Sequence, residues 1–215
     1  VILPILGIVV KTFLCYLARM RCPYCRTALN EQALECPSCQ LNVNRASRLL
    51  GNLPRIMPGV DDAAVLLKPR EMRKLYEKVR ELERRFPQVH VHVVVRNFTP
   101  EQPIELFAFW IFNGGHLAQE AHKGGENRDV LFVLDPVHQR MALMVGYGLE
   151  PFLRQQALDH LLATAAPHMR ELHWLIGFLR VFDGLNLLLE SAAIQAAEAL
   201  GVTTAYDTGV VDGDY

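Results

Sequence analysis

Two Cys-x-x-Cys pairs, Cys22-Pro23-Tyr24-Cys25 and Cys36-Pro37-Ser38-Cys39, are the residues of this chain whose types and spacing point most directly to chemistry. A tetrahedral metal ion needs four donors converging from two turns. Each pair delivers two thiolates from one tight bend, and the ten residues between the pairs suffice for a small hairpin. Pro23 and Pro37 stiffen the bends. The rival reading, a redox pair of thioredoxin type, usually stands singly at the end of a strand that opens a helix. Two copies this close predict zinc. Because no fifth donor lies beside them, the expected site is closed and structural. It contributes folding energy and holds a recognition surface. The ribbon's Arg21 and Arg26 are too few for a phosphate-binding face, so another protein is the expected partner rather than nucleic acid.

Composition agrees. The chain has 215 residues, 51% of them hydrophobic, which is enough for one ordinary domain plus a small appendage without disulfide support. Lys+Arg number 22 against Asp+Glu 23, for a net charge of -1, so no long-range positive field gathers nucleic acid. Thiolate ligation of this kind suits a reducing compartment and points to the cytoplasm. The fifth cysteine, Cys15, sits in an apolar run and reads as a buried, inert thiol.

The elements that must position these residues can be read along the chain. Residues 1–19 are apolar apart from Lys11 and Arg19, and 1–18 are about the shortest length that crosses a bilayer. Two readings stay open for them: an anchor that leaves the rest on the cytoplasmic face of a membrane, or an over-extended start ahead of Met20. Residues 20–43 form the zinc ribbon. Residues 44–59, with two prolines, two glycines and several arginines, read as a linker. The main domain is expected over 60–200 and an acidic, aperiodic tail over 201–215.

Within the main domain, Met72, Leu75, Tyr76, Val79, Leu82 and Phe86 recur at helical spacing between Pro69 and Pro87, which predicts an amphipathic helix. Its many Lys, Arg and Glu residues read as a solvated face. Val89 to Val95 reads as a strand with His90 and His92 on one face, and polar strand positions are the favoured reading over metal ligation. Ile104 to Phe112 is too apolar for a surface helix and is expected to bury nearly all round. Residues 113–127 form a glycine-rich loop. Runs at Asp129 to Leu134 and Met141 to Val145 predict a hairpin, since Asp135-Pro136 opens the joining segment with turn chemistry. Gly146-Tyr147-Gly148 predicts a sharp turn, with Pro151 opening a helical stretch that breaks near Pro167 and near Gly177 or Gly184.

Four stretches taken in order resemble the TPM domain family: Val60-Asp61-Asp62-Ala63-Ala64-Val65-Leu66, the charged helix with its strand Val91 to Val95, Asn127-Arg128-Asp129-Val130-Leu131-Phe132-Val133, and Met144-Val145-Gly146-Tyr147-Gly148-Leu149-Glu150. The resemblance implies an α/β fold, a TPM-like central sheet flanked by helices and here preceded by the zinc ribbon. It also implies a polar cleft built from the loops after the strands. Family members include weak acid phosphatases, calcium binders and factors for assembly of membrane complexes. By position, Asp61 matches the opening acidic residue, Asn127 the polar loop and Glu150 the end of the glycine motif.

Two functions follow from this. As an enzyme, the chain would be a weak divalent-cation-dependent acid phosphatase. Asp61 and Glu150 would hold calcium or magnesium, Asp129 or Asp62 would assist, and Arg128 or Arg140 would meet phosphate. The plainer roles for these groups are a turn or helix entry for Asp61 and Asp62, a helix N-terminus for Glu150 and surface ion pairs for the arginines. As a binding module, ribbon and domain together dock on a partner protein, in the cytoplasm or at the membrane through residues 1–18. This reading needs fewer special residues and is preferred. It also accords with Arg154 and Gln155 standing where many family members carry an aspartate, and with Asp129 in place of a usual glycine.

Overall fold

A computed structural model describes residues 21–30, 33–54, 56–57, 59–114 and 127–199. The apolar stretch 1–19 with Cys15, most of the 113–127 loop and the 201–215 tail lie outside the described residues. The elements run α1 (Val43–Leu50), β1 (Val60–Asp62), α2 (Pro69–Arg85), β2 (His90–Val95), α3 (Ile104–Gly114), β3 (Asp129–Asp135), β4 (Arg140–Val145), α4 (Gln155–Arg170) and α5 (Trp174–Ala199). The strands form one sheet in the order β1-β2-β3-β4. β1, β2 and β3 are parallel, and β4 returns antiparallel to β3 as the expected hairpin.

Alternation along the strands divides the interior in two. Val91, Val93 and Val95 of β2 and Val130, Phe132 and Leu134 of β3 face α2, α4 and α5, where Phe132 meets Phe178 and Phe182 edge-on. Val94, Leu131, Val133 and Ala142 face the other way, toward α3. Both faces of β3 are therefore buried, which is why it reads as a continuous apolar run. α2 and α3 connect parallel neighbours in the same direction across the sheet but lie on opposite faces. The two crossovers must then be of opposite hand. One departs from the right-handed rule that about 98% of such connections obey.

α2 forms as its pattern predicts. Pro69 occupies the first turn, the Glu71 carboxylate accepts the Lys68 N–H at 2.9 Å, and Leu75, Val79 and Leu82 are buried. Lys78 and Arg85 reach across to Asp183 and Glu190 on α5. The segment read as a linker holds all of α1 but its first residue, Val43; the helix is capped by the Asn42 side chain accepting from the Arg45 N–H at 2.9 Å and stops at Gly51 with φ 87°.

The C-terminal helices differ from expectation in where they break. Pro151 sits in a turn and α4 starts at Gln155, while Pro167 lies inside α4 near its end. The break falls at residues 171–173. Gly177 and Gly184 are interior to α5, because a Cβ at Gly177 would lie 2.6 Å from Met169 Sδ and one at Gly184 2.3 Å from Leu161 Cδ2. Those glycines let the two helices approach closely rather than ending either.

The loop from β1 to α2 holds a strained residue. Asp62 accepts the Leu66 and Leu67 N–H groups, and the turn it closes places the exposed Val65 at φ 53°. A β-branched side chain in the left-handed region costs on the order of 1–2 kcal/mol, and Val65, 85% exposed, gains little from packing in return. Val65→Gly is expected to raise the unfolding free energy by about 1 kcal/mol, seen as a higher urea midpoint with an unchanged slope. An unaltered or lower midpoint would mean the turn is relaxed.

Candidate metal centre

The two cysteine pairs fold as near copies of one another. In the first, the Cys22 N–H donates to the Thr27 carbonyl at 2.8 Å and the Arg26 N–H to the Cys22 carbonyl at 2.9 Å. In the second, the Cys36 N–H donates to the Leu41 carbonyl at 2.9 Å and the Gln40 N–H to the Cys36 carbonyl at 2.7 Å. Arg26 and Gln40, each directly after the second cysteine of its pair, take positive φ values of 61° and 56°. Each bend thus turns both sulfurs the same way.

The four sulfurs converge. Cys22 and Cys39 are 3.6 Å apart, Cys25 and Cys36 are 3.6 Å apart, and all four atoms lie within 4.8 Å of one another. A tetrahedral ion with bonds of about 2.3 Å to sulfur holds its ligands roughly 3.8 Å apart, whereas a disulfide needs about 2.05 Å. The spacing fits a metal. Burial pushes the Cys39 thiol up to about 12, helped by neighbouring Cys25, and burial also raises Cys22. The Thr27 hydroxyl and N–H draw Cys25 down to about 6. Four sulfurs in so confined a space can hold one metal ion such as zinc, which would take them as thiolates.

The centre is fastened to the domain by α3. Cys22, Cys36, Leu41 and Ala46 share one apolar cluster with Ile104, Phe107, Ala108, Trp110 and Ile111. Trp110 Nε1 donates to Ser47 Oγ on α1 at 2.9 Å, and Arg26 meets Glu105 at 2.6 Å. α3 is therefore covered by the sheet on one side and by α1 and the metal-site loops on the other.

The carboxylates expected to hold a second cation do not come together. Asp61 pairs in register with Val94, and Val94 with Val133, so Asp61 is level with Val133 at the end of the sheet where β1–β3 finish. Asp129 opens β3 at the opposite end, opposite His90. Four strand positions separate the two levels, about 13 Å at ~3.3 Å per residue. Asp61 is held by Arg96 at 3.0 Å, and Asp62 is engaged with the Leu66 and Leu67 N–H groups. Glu150 lies with Asp129 at the far rim, in the turn after β4.

That turn is a structural clasp. The Gly146 N–H donates to the Asp129 carbonyl at 2.9 Å, the Gly148 N–H to the Asn127 carbonyl at 2.8 Å, and the Asn127 side chain accepts the Asp129 N–H at 2.8 Å. A Cβ on Gly146 would lie 2.3 Å from both Asn127 oxygens, so glycine is required by this close approach. At the same rim His90 is exposed and His92 is buried. Burial, with His90 beside it, pulls His92 down to about 4, so its ring is neutral at physiological pH.

At the near rim, sequence reasoning missed the central group. Asp135, fully buried, accepts from Arg140 Nε at 3.0 Å and Nη2 at 2.7 Å, sits 2.8 Å from His138 Nδ1, and accepts the Val137 and His138 N–H groups. Arg140 also donates to the carbonyls of Thr99, Pro100 and Gln102, just before α3. The arginine considered for phosphate is thus a structural bolt. The Asp-to-Arg spacing across the hairpin was its only trace in sequence. Among the described residues a second group also meets metal-ligand spacing, His168, Glu171 and His173.

The model of the TPM domain matches residues 60–187. This chain belongs to the TPM domain family. Among solved structures, the TPM fold here is similar to the solution structure of the N-terminal domain of a protein from P. gingivalis, with a TM-score of 0.51 and 23% identity over 62% of this chain and 82% of that one. No curated protein matches the chain. The cysteine centre precedes the TPM match, and no helix among the described residues is long and apolar enough to cross a membrane.

Burial alone would raise the Asp135 carboxyl, but its bonds to Arg140 and His138 outweigh that and hold it below the usual carboxylate range. A depressed folded value stabilises the protein above the ordinary aspartate range, near ~3.9, and the contribution is lost as pH falls through the folded value. Asp135→Asn is expected to cost about 3 kcal/mol at pH 7, with the deficit narrowing below about pH 4. Chemical unfolding of both proteins at neutral and acid pH measures it, and a deficit equal at both would refute the assignment.

Proposed function

We propose that this protein is a TPM-type binding module for another protein, with zinc in the four-cysteine site bracing the docking surface. The observation that carries the reading is the separation of the acidic groups. Asp61 is tied to Arg96 at one rim while Asp129 and Glu150 stand at the other, so the carboxylates that a cation-dependent phosphatase would draw on here do not converge. A closed set of four thiolates, by contrast, contributes rigidity and leaves no position for substrate.

The surface offered by the braced loops suits a protein partner. Tyr24, between the cysteines of the first pair, is half-exposed, and Leu34, between the pairs, is 96% exposed. An aromatic side chain held on a stiff bend, as Tyr24 is, loses little freedom on binding, and Leu34 adds an apolar group. The thiolate site accords with a reducing compartment, hence the cytoplasm, and attachment to a membrane would run through residues 1–18.

Purified protein from Met20 onward is expected to contain one zinc per chain, and Cys36→Ser none. Removing the metal should uncover the outer side of α3, raising binding of a hydrophobic dye and shifting tryptophan emission to the red as Trp110 meets water. A partner held by the parent should be released by Leu34→Asp. The phosphatase reading wins instead if pure protein hydrolyses a generic phosphate monoester with added calcium or magnesium and Asp61→Asn and Glu150→Gln abolish that turnover.

A further inference from the structure

The corner between α4 and α5 gathers a second set of metal donors on the side of the sheet away from the cysteines. α4 ends at Arg170 and α5 begins at Trp174, leaving Glu171, Leu172 and His173 as the bend. Leu172 takes a φ of 60°, which reverses the chain sharply enough to bring His173 back against the last turn of α4. The His173 N–H then donates to the His168 carbonyl at 2.8 Å, the Glu171 N–H to the Pro167 carbonyl at 3.1 Å, and the Leu172 N–H to the Met169 carbonyl at 3.1 Å. Every backbone N–H of the bend is fixed.

The scaffold beneath is rigid. Met169 is fully buried, and its side chain packs where a Cβ on Gly177 would stand, so the two helices are locked together one turn from the bend. On that base, one ring nitrogen from each of His168 and His173 and one carboxylate oxygen of Glu171 lie within 4.8 Å of one another. His173 Nδ1 is already 3.3 Å from Glu171 Oε2. Zinc bonds of about 2.0–2.2 Å hold neighbouring nitrogen and oxygen donors roughly 3.3–3.5 Å apart, so a small rotation of these side chains closes the set.

We infer that His168, Glu171 and His173 form a second metal site, for a first-row divalent ion such as zinc. An ion pair joins His173 to Glu171, and helical spacing sets His168 beside Glu171, so three donors share one point. Two imidazoles and one carboxylate suit zinc, nickel or copper, whereas calcium and magnesium take sets made of oxygen. Three protein donors leave at least one coordination position open, and that position takes water or a donor from another molecule. The site differs in kind from the cysteine centre, which has four thiol donors and packs against α3. The two lie on opposite faces of the sheet and share no residue.

The test uses tag-free full-length protein already holding one equivalent of zinc, with further zinc added by calorimetric titration. The parent should take up one more equivalent, removable by a mild chelator that leaves the first. The His168→Ala/His173→Ala variant should lose that second equivalent while keeping the first and an unchanged melting temperature without added zinc. Glu171→Gln should retain the fold and weaken the second equivalent by at least about tenfold. Absence of a second equivalent in the parent, or uptake by the double variant as tight as the parent's, overturns the assignment.

Discussion

One helix buries most of its circumference, and the rest of the molecule is arranged around that fact. α3 buries Ile104, Leu106, Phe107, Ala108, Trp110, Ile111 and Phe112, residues that cover its circumference apart from the stripe of Glu105, Phe109 and Asn113. The sheet covers one side only. What covers the other is α1 and two loops too small to hold a core of their own, and a set of four sulfurs spaced for one ion joins those loops to each other. Each large side chain so buried contributes about 1.5–3 kcal/mol, which makes the outer cover of α3 a substantial share of a domain's net stability.

The polar groups at the near rim serve the same end. Arg140 reaches the carbonyls of Thr99, Pro100 and Gln102 immediately ahead of α3, and Asp135 holds Arg140 in place from beneath. On the outer side Arg26 meets Glu105 in the first turn of α3. The helix is thus gripped at its start from two layers. A buried carboxylate would be costly alone; here it is saturated by a guanidinium, an imidazole and two backbone N–H groups, which suits positioning rather than exchange with substrate.

What the sequence made legible follows from how local the cause was. The Pro69-to-Pro87 helix, the β3–β4 hairpin and the buried α3 were readable because periodicity, turn residues and apolar run length decide them over a few neighbours. The cysteine convergence was readable because the spacing itself encodes the bends. The misplaced features depend on partners far along the chain. Gly177 and Gly184 looked like breaks, yet they exist for Met169 and Leu161 on α4. Asp61 and Glu150 looked like a pair, yet strand register places them at opposite rims, and register is set by pairing that no local pattern reports. Asp135 escaped notice because its surroundings, a turn with proline, read equally well as solvent-exposed. The helix α1 was hidden by the prolines and glycines that flank it.

These dependencies move the physical boundary of the domain. Family likeness begins at residue 60, but the apolar cluster that closes the α3 face draws Cys22, Cys36, Leu41 and Ala46 from before it. Among the described residues three helices cover the opposite face and only α3 packs on this one, so without the cysteine loops and α1 the outer side of α3 would be open to water. Two loops of this size gain too little from burial to fold alone, whereas a structural zinc in such a site contributes on the order of 10–16 kcal/mol. A metal held by these four sulfurs would therefore be coupled to the docking of α3. One of the two crossovers departs from the usual right-handed connection, and α3, on the face with the fewest helices among the described residues, depends on the cysteine loops to complete its core.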